Sequence, residues 1–484
     1  MRRENKNIDE ISLYSIWLSY AGKLKLKTKN SDEIEILDAG EFNTTDGADF
    51  TDAKVKINGK IYHGDVEIHI KASDWKNHKH HLDERYNTVI LHVVLEDDTG
   101  DGFVQAVSGR KILTAEIEDK SVFKSKIAKN DKIKCYGVNK IVPIEEKLKW
   151  IRNLGLTRLF FKARNLSERL SEIIDENFFL ISESPKDYFP TYQSYSLYQL
   201  SHRFIWDQLL YEKVMEALGY SKNKLPFRKL AQNLTLKFIS DNSFAHSYEK
   251  QILKIQSLLY GAGGFIAHFS GKKLDAETKF FIEELEKEWA NVKNYYRREI
   301  LHHSEWHFSK VRPANSPVFK LAGASVLIWR MIHEDFYAQL NEIIISDRDI
   351  FEKIKQLENL FRVKSEGYWE THYNFGRSRG VKTGFMVGVA KSREIIANAV
   401  LPVMITFSRI FKNRELEKKV VEIYKNFPNL SSNWITAKLE DELFAGRVKL
   451  SSSGLTHQGG IHLFKFYCSN SLCNSCAIGN KIFL

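Results

Sequence analysis

Four segments near the start of the chain alternate apolar and polar positions with period two: EIEILDAGEF (33–42), DAKVKING (52–59), IYHGDVEIHI (61–70) and TVILHVVLED (88–97). Successive side chains of a strand point to opposite faces, so this pattern predicts four strands. Asn58-Gly59, between the second and the third, is a two-residue hairpin signal. IDEISLYSIWLSYAGKL (8–24) reads as a helix ahead of the strands, and SDWKNHKHHLDERYN (73–87) as a second one, with Ser73 as its N-cap. The order helix, strand, strand, strand, helix, strand predicts a mixed α/β sandwich around one small sheet.

The texture changes near residue 145. Residues 145–175, 201–220, 278–300 and 408–427 repeat apolar positions at three and four, which predicts helices. IIANAVLPVMITFS (395–408) reads as a buried helix kinked at Pro402, and it is too short to span a bilayer. The last 55 residues are rich in Gly and Ser and end in three cysteines. The expected class is α+β, with an α/β domain over 1–145, an all-α domain of eight or more helices over 146–430, and an irregular tail over 431–484.

The strand 61–70 carries the first candidate chemistry. Alternation puts Val66, Ile68 and Ile70 on one face and His63, Asp65, Glu67, His69 and Lys71 on the other. The hairpin brings Asp49 toward the same end of the sheet. Phosphodiester cleavage with Mg²⁺ or Mn²⁺ needs carboxylates converging on one hard cation and a basic group near the attacking water. Asp49 and Glu67 are the candidate ligands, with the Ile68 carbonyl as a third oxygen and His69 or Lys71 as the basic group. The same alternation makes His92 a core histidine whose nitrogens are satisfied within the protein. In HKHH, the residues His78, His80 and His81 are open to three roles: metal ligands, phosphate contacts with Lys76 and Lys79, or a plain helix surface.

Charge narrows the partners. Lys and Arg number 72 against 61 Asp and Glu, a formal net charge of +11, which suits a phosphate-rich partner, nucleic acid before an anionic membrane surface. MRRENKNIDE has no apolar run behind its basic start, so no secretory signal is expected, and four cysteines in 484 residues suit a reducing cytoplasm and not a disulfide scaffold. In GRSRGVKTG, Arg377, Arg379 and Lys382 form a basic loop able to contact phosphate. Val381 stands where a Walker loop needs glycine, which excludes an NTPase of that type.

Ala48-Asp49, followed eighteen residues later by Glu67-Ile68-His69, resembles the PD-(D/E)xK nuclease superfamily. That resemblance implies a restriction-endonuclease-like fold, metal binding by Asp49 and Glu67, and a contribution from a first-helix acid, here Glu10. Histidine stands at 69 where the superfamily has lysine. This departure supports the alternative of a non-catalytic nucleic-acid-binding or scaffold protein on a degenerate nuclease fold. GADFTDAKV, GDVEIHIKASDWKNHKHHLDERYNTVILHVV, RPANSP, THYNFG and YCSNSLCNSCAIG, in that order from end to end, resemble an uncharacterised bacterial family, domain of unknown function 2851.

Cys468, Cys473 and Cys476 are spaced C-x4-C-x2-C, a partial zinc-ligand set whose fourth member could be Cys135, His457 or His462. Nucleases with one distant cysteine and three clustered C-terminal ones can hold an iron–sulfur cluster, so both cofactors are expected options.

Overall fold

Asn58 and Gly59 both have positive φ (47° and 80°), and their turn joins two antiparallel strands, β4 (Phe50–Ile57) and β5 (Lys60–Lys71). This is seen in a computed structural model that describes residues 13–14, 16–17, 24–43, 47–118, 132–178, 196–309, 311–376, 378, 380 and 382–483. The other strands of the sheet are β1 (Leu26–Lys27), β2 (Ile34–Asp38), β3 (Glu41–Phe42), β6 (Val89–Glu96), β7 (Phe103–Gln105) and β8 (Lys111–Ile117). Their order is β1-β8-β6-β5-β4-β2, with β3 on β4 and β7 on β8. β2, β4 and β5 run antiparallel; β6 lies parallel to β5, and β8 parallel to β6.

Two local features set the geometry around β5. The β4–β5 register shifts between Phe50 and Ala53, a bulge at Thr51-Asp52 with Asp52 at φ 57°, and a bulge re-aims the side chains beside it. Gly64 lies where β5 takes up its pairing with β6. A Cβ there would stand 2.5 Å from both Thr88 O and Ile90 Cγ2, so only glycine admits the approach.

The chain divides into two compact units, one of residues 1–168, 181–199 and 432–484, the other of 169–180 and 200–431. In the first, Val66, Ile68, Leu91, Val93, Ala115 and Ile117 face a hydrocarbon core with Leu13, Trp17, Phe161 and Phe466. A smaller cluster including Trp75, Tyr86 and Val89 forms beside it. Phe161 belongs to the long helix Ile144–Phe178, and Phe466 to the C-terminal segment. Where an irregular tail is expected, residues 432–484 form helices at Trp434–Glu442, Gly454–His462 and Ala477–Phe483. Gly459 permits the close crossing, because a Cβ on it would lie 1.9 Å from Ile151 O. Gln458 Oε1 accepts from Arg158 Nε (2.8 Å) and Lys162 Nζ (3.0 Å).

The helix expected over 73–87 is instead one turn, Asp74–Asn77, and two 3-10 turns, His80–Leu82 and Glu84–Tyr86. Lys79 is left-handed (φ 62°) and Asp83 extended, which breaks the helical repeat twice. Ser73 does not cap; its hydroxyl and amide bond Asp98.

The second unit is helical, with ends set by side-chain caps at Thr235, Ser247, Asp275, Asp349 and Asn413. The helix Pro317–His333 is buried along most of its length. The apolar run at 395–408 is buried as expected; a π turn, Ile396–Val400, precedes Pro402. Among the described residues no helix is long and apolar enough to cross a membrane.

Candidate metal centre

Glu67, His92 and Thr114 stand opposite one another across β5, β6 and β8, and His69 lies two residues along β5 on the same face. The broken segment 73–87 brings His78 and His80 to them. His69 Nε2 lies 3.2 Å from His78 Nδ1, 3.2 Å from His80 Nε2 and 3.5 Å from Glu67 Oε1. Glu67 Oε1 is 3.2 Å from His80 Nε2. The three histidines offer ligand atoms all within 4.8 Å of one another. An ion about 2.0–2.1 Å from each imidazole nitrogen would set tetrahedrally placed nitrogens roughly 3.3 Å apart. His69 Nε2 already stands close to that spacing from both His78 Nδ1 and His80 Nε2.

Burial makes these contacts costly unless they serve something. Asp49, Glu67, His69, His80 and His92 are each 5% exposed or less, while His78 is half-buried at the rim. Trp75 packs edge-on to His80, and Tyr86 stacks on it with centroids 3.9 Å apart. Burial and the neighbouring histidines hold the His69 imidazole well below its ordinary range, and burial with His80 lowers His92 to about 3. Both rings are therefore neutral near pH 7, the state a metal ligand requires.

The neutral rings form a relay. His69 Nδ1 lies 2.9 Å from His92 Nε2, and His92 Nδ1 lies 3.1 Å from Thr114 Oγ1. A neutral imidazole donates from one nitrogen and accepts at the other. With His69 Nε2 as a ligand, His69 Nδ1–H donates to His92 Nε2 and His92 Nδ1–H donates to the Thr114 hydroxyl. The partners behind the ligand thus fix its tautomer and ring orientation.

Asp49 plays a different part from the one its motif implies. The Asp49 amide donates to Glu67 Oε2 (2.8 Å), and its carboxylate accepts from Ile68 N (2.8 Å) and Arg164 Nη2 (2.7 Å). Arg164 also donates to Asn43 O and Gly47 O, at 2.8 Å each. Burial and the charge of Glu67 push the Asp49 carboxyl up to about 7, against the pull of Arg164. Asp49 so ties the loop before β4 to the long helix and orients Glu67. Three imidazoles and one carboxylate are nitrogen-rich and suit Zn²⁺ or Mn²⁺; Mg²⁺ prefers an oxygen shell and does not fit this donor set.

The remaining sequence candidates fall elsewhere. Lys71 is exposed at the end of β5, where Asp98 feels its charge. Lys76 is exposed and Lys79 half-buried next to the cluster. Lys382, in the second unit, is exposed and pairs with Glu370 (2.9 Å). Glu10, Arg377 and Arg379 lie outside the described residues. Cys135 and Cys476 are buried, Cys468 and Cys473 half-buried, and all four are free thiols. Sequence reasoning missed Arg164 and Thr114. A signal for Arg164 existed: it follows Phe160 and Phe161 by one helical turn, so an arginine continues an apolar stripe.

A family model described as a protein of unknown function (DUF2851) matches residues 10–179 and 196–433. No curated protein and no solved structure matches the chain.

Proposed function

The chain belongs to the DUF2851 family, and from that premise and the geometry around β5 we propose a metal-dependent phosphodiesterase acting on nucleic acid, with His69, His78, His80 and Glu67 holding a transition-metal ion. One observation carries the reading: side-chain atoms of Glu67, His69 and His80 meet at 3.2–3.5 Å, a convergence of lone pairs that a cation would join. A bound Zn²⁺ or Mn²⁺ would supply an acidified water and a Lewis acid for phosphoryl oxygen. Glu67 would complete that shell, Asp49, itself held by Arg164, keeps Glu67 in place, and Thr114 and His92 fix the His69 tautomer. Exposed Lys71 and Lys76, with the overall charge of +11, favour a polyanionic substrate.

The test is incubation with single- and double-stranded DNA and RNA in Mn²⁺ or Zn²⁺, comparing wild type with Glu67→Gln. Cleavage by wild type that falls at least about 100-fold in the variant is expected. A second reading rests on the burial of all but His78: the ion staples residues 73–87 to the sheet, and the protein binds nucleic acid without cutting it. Retained binding with no cleavage under any metal would select it.

A further inference from the structure

RPANSP (312–317) runs through a 3-10 turn, Pro313–Asn315, into the helix Pro317–His333. The first amides of a helix have no acceptor within it, so something outside must accept from them. Here Pro317 carries no N–H, and Ser316 N donates to Pro313 O (2.9 Å). The amides of Val318 and Phe319 remain. No backbone or side-chain group among the described residues accepts from them, and both residues are fully buried.

Ser316 is the N-cap of this helix. A serine there ordinarily accepts from a first-turn amide, as Ser247 does from Lys250 N (3.3 Å). Ser316 has the extended backbone of a capping residue, φ −51° and ψ 134°, which sets its side chain over the first turn. Its hydroxyl nevertheless makes no hydrogen bond, although it is buried and the residue is only 7% exposed. We propose that this helix end binds a phosphate group, with the Ser316 hydroxyl and the amides of Val318 and Phe319 donating to its oxygens.

The chemistry selects that ligand. Two N–H groups and a hydroxyl free to turn its proton make a set of donors, so the occupant must be an acceptor. The open end of a helix favours negative charge. A carboxylate offers two oxygens in a plane, whereas a tetrahedral phosphate offers three to three donors. Positive charge lies behind the site: Lys320, one turn in, is buried and donates to an uncharged oxygen, Met386 O (2.6 Å).

The first turn is also fixed before any ligand arrives. Tyr260 Oη donates to Val318 O (2.8 Å), and Phe319 packs edge-on to Tyr373 of THYNFG with centroids 4.8 Å apart. Arg312, Pro313 and Ala314 are exposed and form the approach, to which Arg312 brings a further positive charge. Donors buried beneath them admit a free phosphate or a terminal phosphate monoester. The site lies within the second unit and does not depend on the histidine cluster.

The experiment is calorimetric titration of the full chain with inorganic phosphate, in a chelator and at constant ionic strength set with chloride. A nucleoside monophosphate and a short oligonucleotide with a terminal phosphate form two further arms, and the arm that binds most tightly names the source of the phosphate. Wild type should bind in at least one arm. Ser316→Ala should weaken that binding at least about tenfold, the share of a hydrogen bond to a charged group. Ser316→Thr, which keeps the hydroxyl, and His80→Ala, which alters only the histidine cluster, should bind as wild type does. Absence of binding by wild type in every arm overturns the proposal, as for donors that serve only a buried water. Binding that Ser316→Ala leaves unchanged lies elsewhere on the chain and overturns it equally. Neither result depends on whether the histidine cluster holds a metal.

Discussion

The histidine cluster beside β5 and the lysine pair of the second unit are both buried polar groups, and they are satisfied in opposite ways. Lys320 and Lys391 are each 4% exposed. Lys320 donates to Met386 O (2.6 Å); Lys391 donates to Ala217 O (3.2 Å) and Glu394 Oε2 (2.5 Å) and sits over the Tyr220 ring. Each cation is closed off by acceptors from its own surroundings. Beside β5, by contrast, acceptors converge on acceptors: imidazole nitrogens and a carboxylate face one another at distances that only a proton or a metal ion reconciles. Burial alone therefore does not mark a binding site. The sign of the convergence does, because a set of like lone pairs has a use only when something cationic joins it.

The largest test of this contrast is Arg164→Ala. It removes one partner of a buried pair and leaves Asp49 bonded to Ile68 N without its cation, which should cost about 3–5 kcal/mol in urea unfolding. Metal loading comes next. Zn²⁺ or Mn²⁺ at about 100 times its dissociation constant should stabilise the wild type by about 2.7 kcal/mol by mass action. His80→Ala should lose that gain and Lys320→Met should keep it; equal gains in both would erase the distinction between the two regions.

Thr114→Val breaks only the far end of the relay, and metal affinity, read by competition with a chelating dye, should fall about 10- to 100-fold. An unchanged affinity would mean that the His69 tautomer is set without His92.

The smallest effect belongs to the lysines and is read as a pH slope. Burial, then the charge of Lys391, lowers Lys320 from 10.5 to about 7, and burial lowers Lys391 to about 8 in spite of Glu394. Between about 7 and 10.5 the unfolded chain binds more protons than the folded one, so stability rises with pH across that window and is lost as pH falls through about 7. The slope from one such group is at most about 1.4 kcal/mol per pH unit. Lys320→Met should flatten it in urea titrations between pH 7 and 9, with little loss of stability at pH 7, since an apolar replacement of a buried charge is often neutral.

The strand alternation was enough to place Glu67 and His69 on one face and to separate them from Val66 and Ile68, because a period of two leaves a single choice once one face is apolar. The hairpin was legible for a similar reason: Asn-Gly accepts positive φ at little cost. His92 was legible as a core histidine, while its role behind His69 was not, because that role depends on the parallel register of three strands. The segment 73–87 was misread as one helix. Its composition allows a helix, and the breaks at Lys79 and Asp83 come with the seating of Trp75, His80 and Tyr86 around the cluster, which local propensity does not encode. Arg164 stands 115 residues from Asp49 in sequence, beyond the reach of any spacing argument.

One consequence follows from the discontinuous make-up of the first unit. Its sheet is encoded at the start of the chain, yet the partners of Arg158, Lys162 and Phe161, namely Gln458 and Phe466, are encoded near residue 460. In the order of synthesis this unit begins first and finishes last, and nearly all of the second unit is translated in the interval. Contacts such as Ile133 N to Glu442 Oε2, 309 residues apart, close only then. A nascent chain thus carries the helix that braces Asp49 without its partners Gln458 and Phe466 while residues 200–431 are being made.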